Sequence, residues 1–163
     1  MYTRILVAVD GSAVSDRAMR EAAQLAREGH ARMRLVHVED VCPPASTELY
    51  VDYDSYRQAC LADGRQVLDH ATATLRQLGI APEPTLIAIE TSHVGDSIVQ
   101  EARAWGADLL VLGTHGRGGL RHLLLGSVAE GVVRQAPVPV LLVRGPGAAD
   151  PHPQATPEAG RAR

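Results

Sequence analysis

The stretch Leu109-Leu110-Val111-Leu112-Gly113-Thr114-His115-Gly116-Arg117-Gly118-Gly119, followed by Leu120 to Leu125 and then Gly126-Ser127-Val128, decides the fold. Asp108 to Leu112 reads as a strand. Its apolar run has no polar alternation, the pattern of a strand buried on both faces in a parallel sheet. The run breaks into glycines, which let a backbone turn sharply and come close to a ligand. Behind Gly126-Ser127, apolar residues recur at helical spacing: Val128, Val132, Val133 and Ala136. Strand, glycine loop and helix make one unit of an open α/β sheet. The helix start presents unpaired N–H groups that suit an anion such as a phosphate.

The same unit repeats toward the N-terminus. Ile5-Leu6-Val7-Ala8-Val9 is a short buried strand that stops at Asp10-Gly11-Ser12. A helix follows, with Ser12 or Ser15 as cap, Asp16 in its first turn, and Ala18, Met19, Ala22, Leu25 and Ala26 on its apolar side. Gly29 is expected to end it. Met33 to Val38 reads as strand two and Glu39 to Tyr56 as a loop, long enough to have a role of its own. A helix is predicted over 54–78, with Ala59, Val67, Leu68, Ala71, Leu75 and Leu78 inward and a weak point at Gly64. Pro84 to Glu90 reads as strand three. Val94, Ile98, Val99, Ala102 and Trp105 mark a third helix closed by Gly106, and Pro137 to Arg144 reads as strand five.

The order βαβαβαβαβ in about 145 residues predicts one parallel sheet with helices on both faces and right-handed crossovers. Ligands of such sheets lie outside the carboxyl ends of the strands, where the strand order reverses. Asp10, the residues after Val38, and Gly113 all follow strand ends on that rim. Residues 1–145 are expected to form the domain. Residues 146–163, with Pro146, Pro151, Pro153 and Pro157 and no apolar periodicity, are expected to be a disordered Pro- and Ala-rich tail.

Composition narrows the function. Net charge is −3, no basic block stands out, and aromatic residues make up 3% of the chain with no Phe at all. A nucleic-acid partner is therefore not expected. Apolar runs are too short for a signal peptide or a membrane span, and Cys42 and Cys60 form no CxxC pair. A cytoplasmic protein with reduced thiols is the expectation. The histidines form no metal-ligand spacing, and no nucleophile elbow surrounds Ser127.

The glycine loop is not a Walker A loop, since Gly126-Ser127 has no Lys between its residues. It is not a dinucleotide fingerprint either: Arg121 stands where the third glycine belongs, and the loop follows the fourth strand instead of the first. What remains is Gly113-x2-Gly116-x9-Gly126-Ser127. This spacing resembles the Gly-x2-Gly-x9-Gly-Ser/Thr nucleotide motif of the universal stress protein family. Ile5 to Ser12, Leu35-Val36-His37-Val38 and Pro137 to Val143 are similar to that family's first, second and last strands.

The resemblance implies a strand order of 3-2-1-4-5 and an ATP-binding stress-response sensor or switch. ATP or another adenine nucleotide would carry any Mg²⁺ or Mn²⁺ with it. Adenine would lie against Ala8, Val9 and Val38, with Asp10 near adenine or ribose. Leu112 and Gly113 would line the ribose and phosphate passage. Backbone N–H groups around Gly116, Gly126, Ser127 and Val128 would take the phosphates, helped by Arg117 and by His115 when protonated. The resemblance also implies a homodimer through the edge strand Val138 to Val143. Pro137 and Pro139 donate no N–H bond, which centres the pairing on Val140 to Val143.

Competing readings remain open at this stage. Ser127-x-x-Glu130 fits a capping box that would satisfy the same helix-start donors without a ligand. Asp10 fits a turn cap for Gly11 and Ser12. A slow ATPase or nucleotidyl-transfer enzyme of the same fold, and a nucleotide-free module for an unidentified protein partner, share the architecture.

Overall fold

The computed structural model describes residues 1–42, 52–90, 93–114 and 125–145. Among them the elements run β1 (Arg4–Ala8), α1 (Ala13–Gly29), β2 (Arg32–Asp40), α2 (Tyr53–Gln77), β3 (Glu83–Ile89), α3 (Val94–Trp105), β4 (Leu109–Gly113), α4 (Ser127–Gln135) and β5 (Val140–Val143). The strands form a single five-stranded sheet in the order β3-β2-β1-β4-β5. Every neighbouring pair is parallel. The predicted class and strand order are therefore those observed.

The uninterrupted apolar runs are explained by two cores. Ile5, Val7, Val9, Met33, Leu35, Leu109 and Val111 face α1 and α2. Leu6, Val36, Leu110 and Leu112 face α3 and α4. Alternate residues of one strand thus point into opposite cores, and neither face tolerates a polar residue without a partner.

The amino end of the sheet is fastened by hydrogen bonds to carboxylates and by an ion pair. The Asp108 carboxylate accepts from Thr3 N (2.8 Å), Thr3 Oγ1 (2.7 Å) and Arg4 N (2.9 Å). Glu83 accepts from Arg34 (2.7 Å) and from Trp105 Nε1 (3.1 Å), while the Arg34 guanidinium lies 4.9 Å from the centre of the Trp105 ring. β2, β3 and α3 are joined at one corner by these three side chains.

Local departures from expectation have local causes. The helix α1 ends at Gly29, but the left-handed residue that follows is His30 (φ 51°), whose N–H bonds Ala26 O. β2 continues to Asp40 because β3 pairs with it up to Asp40↔Ile89, which shortens the predicted loop. Ala59 is exposed: steps of three or four back from the buried Gly64 land on the half-buried Cys60 and Leu61 instead. On α4 the buried residues are Ala129 and Val132, and Val133 is 47% exposed. β5 is four residues long, since Pro137 and Pro139 have no N–H for the ladder, although Pro139 O still accepts from Leu110 N at 3.0 Å. The 146–163 segment and the central part of the Glu39–Tyr56 loop lie outside the described residues.

Candidate functional site

The strand order reverses between β1 and β4. These strands pair in register from Ile5↔Leu109 to Val7↔Val111. Ala8-Val9-Asp10 and Leu112-Gly113-Thr114 therefore leave the sheet side by side at its carboxyl edge, where the two chain directions part.

On the α3/α4 side of this edge, Ala8, Val38 and Leu112 belong to one apolar cluster, with Ile87, Val94, Leu125 and Val128 packed against it. They form an apolar floor. Val9 differs from the others. Its side chain is 4% exposed and points into the α1/α2 core. Its N–H donates to Val36 O at 2.9 Å and its carbonyl faces His37 Nδ1 at 2.7 Å. Val9 holds the strand end in place, and its side chain is turned away from the floor.

Asp10 opens a side-chain turn: Ser12 N donates to Asp10 Oδ1 at 2.9 Å, and Gly11 takes φ 77°. Ser12 caps α1 by accepting from Ser15 N at 3.2 Å. Gly113 has a packing reason as well as its place in the motif. A Cβ there would stand 2.8 Å from Val14 Cγ1 and 3.3 Å from the Val14 backbone carbon. The glycine lets the end of β4 press against the first turn of α1. Beyond it, the buried Thr114 donates its N–H to Val143 O (2.9 Å) and accepts from Gly126 N (2.7 Å), which fixes where α4 begins.

The start of α4 overturns the capping-box reading. Gly126 is the N-cap, with φ −74° and ψ 154°, and there is no side-chain cap. Ser127 is the first helical residue, so its hydroxyl has passed the position from which it would reach the Glu130 N–H. That N–H instead bonds Gly126 O at 2.9 Å. Among the described residues, the N–H groups of Ser127, Val128 and Ala129 have no backbone partner. α3 also starts without a side-chain cap, at His93, and Gly95 brings it close to α4: a Cβ there would lie 3.2 Å from Val128 O. By contrast α1 and α2, on the opposite face, are capped by Ser12 and Asp52. Among the described residues, the face carrying the apolar floor thus carries both helix starts that lack a side-chain cap.

The predicted site residues Ala8, Asp10, Val38, Leu112, Gly113, Gly126, Ser127 and Val128 all lie on this rim or its floor. His115, Gly116 and Arg117 lie outside the described residues. The sequence offered Ser15 only as an alternative cap of α1, a role that Ser12 takes, and gave His37 no role, yet both are polar side chains only 4% exposed. The available signal was a polar residue inside a buried run, which demands a partner.

This is the build of the doubly wound α/β class, in which the crevice at the reversal is the ligand position. The chain belongs to the universal stress protein family, whose model matches residues 1–144. It is similar to a universal stress protein of Bacillus subtilis, 32% identical over 151 residues, with 88% of this chain and 100% of the relative aligned. Among solved structures it is similar to a universal stress protein family member from Burkholderia pseudomallei (36% identity, TM-score 0.69, covering 86% of this chain and 95% of that one). A universal stress protein in complex with cAMP matches at 29% identity and TM-score 0.64, over 87% of this chain and 97% of that one. One from Archaeoglobus fulgidus in complex with dAMP matches at 26% identity and TM-score 0.65, over 87% and 98%.

Proposed function

We propose that this protein binds an adenine nucleotide, ATP foremost, at the carboxyl edge between β1 and β4, and acts in the cytoplasm as a nucleotide-dependent sensor or switch in stress response. One observation carries the reading: α4 begins at a glycine beside an apolar floor at the strand reversal, and its first-turn N–H groups have no partner among the described residues. The backbone of Gly126 has a conformation open to any residue, and Ser, Thr, Asp or Asn would stabilise the helix more at that position. A glycine there leaves the donors and the positive end of the helix dipole for a phosphate. The cAMP and dAMP complexes of related proteins support an adenine nucleotide as the ligand.

In this reading adenine rests on Ala8 and Val38, and Asp10 accepts from ribose or adenine while keeping its turn. Leu112 and Gly113 line the passage, and the N–H groups of Ser127 and Val128 meet the phosphates. Val9 contributes as the fixed link between floor and turn. His115, Gly116 and Arg117 complete the phosphate loop by motif. Mg²⁺ or Mn²⁺ enters only as an ion carried on the phosphates. No residue is assigned to catalysis, and the proposed role is retention of nucleotide instead of rapid turnover. A nucleotide-free module closed by its own capping box lacks that box at α4.

The domain in this reading is residues 1–145, with 146–163 as its tail. We place a homodimer interface on β5. Pro139 O and Val143 O both face β4, where they accept from Leu110 N and Thr114 N. Backbone groups alternate along a strand, so those of Val140 and Leu142 point outward, ready to pair with a second copy. Among the described residues, no helix is long and apolar enough to cross a membrane. The test of the nucleotide is mass spectrometry of the small molecules released when the purified protein is denatured. An adenine nucleotide in stoichiometric amount supports the reading, and a different ligand class in that amount overturns it.

A further inference from the structure

Two buried polar side chains outside the rim grip one peptide unit of it. The unit is Val9–Asp10, between the apolar floor and the Asp10 turn. Its carbonyl, Val9 O, lies 2.7 Å from His37 Nδ1. Its N–H, on Asp10, donates to Ser15 Oγ at 3.3 Å. Ser15 Oγ in turn donates to Ser12 O at 3.1 Å, which ties the next turn of chain to the same hydroxyl.

A carbonyl only accepts, so His37 Nδ1 carries the proton in this bond. The other ring nitrogen, Nε2, lies 2.8 Å from Glu39 Oε2. This second contact holds the ring from its far side and fixes its orientation, while Val9 O is what requires the proton on Nδ1. The ring has little room to move otherwise. α2 passes over it at Gly64, where a Cβ would stand 3.0 Å from His37 Cδ2 and 3.3 Å from Glu39 Oε2.

We infer that His37, oriented by Glu39 and assisted by Ser15, is a positioning residue for nucleotide binding: it sets the direction of the Val9–Asp10 peptide and so the place of Asp10. The inference rests on the nucleotide reading above. His37 touches no ligand in this account. It acts through a backbone unit whose two hydrogen-bonding groups are held from opposite sides, so that the Asp10 turn is preformed and the cost of ordering it falls before binding.

Two substitutions separate the donor from the bulk of the ring. Asn has an amide nitrogen near the position of Nδ1 and can keep the bond to Val9 O. Leu fills the space but donates nothing. Calorimetry with ATP and Mg²⁺ on the full chain gives the first readout. His37→Leu is expected to weaken binding at least roughly tenfold, and His37→Asn to stay within roughly threefold of wild type. A purely structural role would lower the melting temperature of both variants and leave affinity unchanged in the folded protein at 25 °C. Amide hydrogen exchange without nucleotide gives the second: Asp10 and Ser12 should exchange faster in His37→Leu and not in His37→Asn.

Wild-type affinity in His37→Leu, equal loss in both variants, or unchanged exchange in His37→Leu would each overturn the positioning role while leaving the nucleotide reading intact. Failure of the wild-type protein to bind ATP would overturn the nucleotide reading itself, and the role for His37 with it.

Discussion

Gly126 and Ser127 exchange the roles that a motif search gives them. The serine looks like the cap and is the first helical residue, whereas the glycine is the cap and offers no side chain. An aspartate at 126 would supply the missing cap and place a negative charge where phosphate is proposed to sit. Gly126→Asp should therefore raise stability by about 0.5–1 kcal/mol in urea unfolding and weaken ATP binding at least roughly tenfold. Opposite signs in the two measurements are the mark of a position kept open for a ligand. Loss of stability together with unchanged binding would remove Gly126 from the site.

Among the elements, Gly113 and Gly64 are set by close approach. Gly113 presses against Val14, so Gly113→Ala should cost about 1–3 kcal/mol through overpacking. Trimming the contact in the double variant with Val14→Ala should recover part of that loss, read as a favourable coupling in a double-mutant cycle. Gly64 lies where α2 crosses Leu86 and the His37 ring, and a Cβ there would stand 2.8 and 3.0 Å from them. Alanine would gain up to about 1 kcal/mol of helix propensity there. The ring is held by two hydrogen bonds and cannot give way, so Gly64→Ala should be net destabilising in the same unfolding assay.

The elements also show what was legible in advance. Buried runs such as Ile5 to Val9 and Leu109 to Leu112, punctuated by turn residues, were enough for the parallel sheet and its crossovers. Period-two sorting into two cores is invisible in runs that are apolar at every position, so the inward turn of Val9 could not be read. The candidate site was legible where a motif spaced it, at Gly113, Gly126 and Ser127. It was not legible where a side chain acts through the backbone of a distant strand, as His37 does on Val9. Partners 28 residues apart in sequence leave no local pattern.

At the scale of the whole molecule, stability should have an acid limb. Burial pushes the Asp108 carboxyl up, but the bonds from Arg4 and Thr3 outweigh it and hold the group below its ordinary value. The hydrogen bond from Arg34, opposed by burial and joined by Arg32, likewise holds Glu83 low. Both folded-state values lie below the unfolded ones. Their stabilisation is fully present above the ordinary carboxylate range near pH ~4 and is lost as pH falls through the folded values. The urea midpoint should thus drop between pH 5 and pH 3, roughly the window of those carboxylates, and the drop should be smaller in Glu83→Gln. The proposed dimer belongs to this scale too. Val140→Pro removes one outward N–H while sparing the groups that face β4, so light scattering should show a weaker dimer with the fold retained. An unchanged dimer would place the interface elsewhere.

The nucleotide site is the claim on which the rest depends, and titration calorimetry of the wild-type chain with ATP and Mg²⁺ tests it most directly. Saturable binding of one ATP per chain, matched by a rise in melting temperature, is the predicted result. No heat and no thermal shift at millimolar ATP would contradict it.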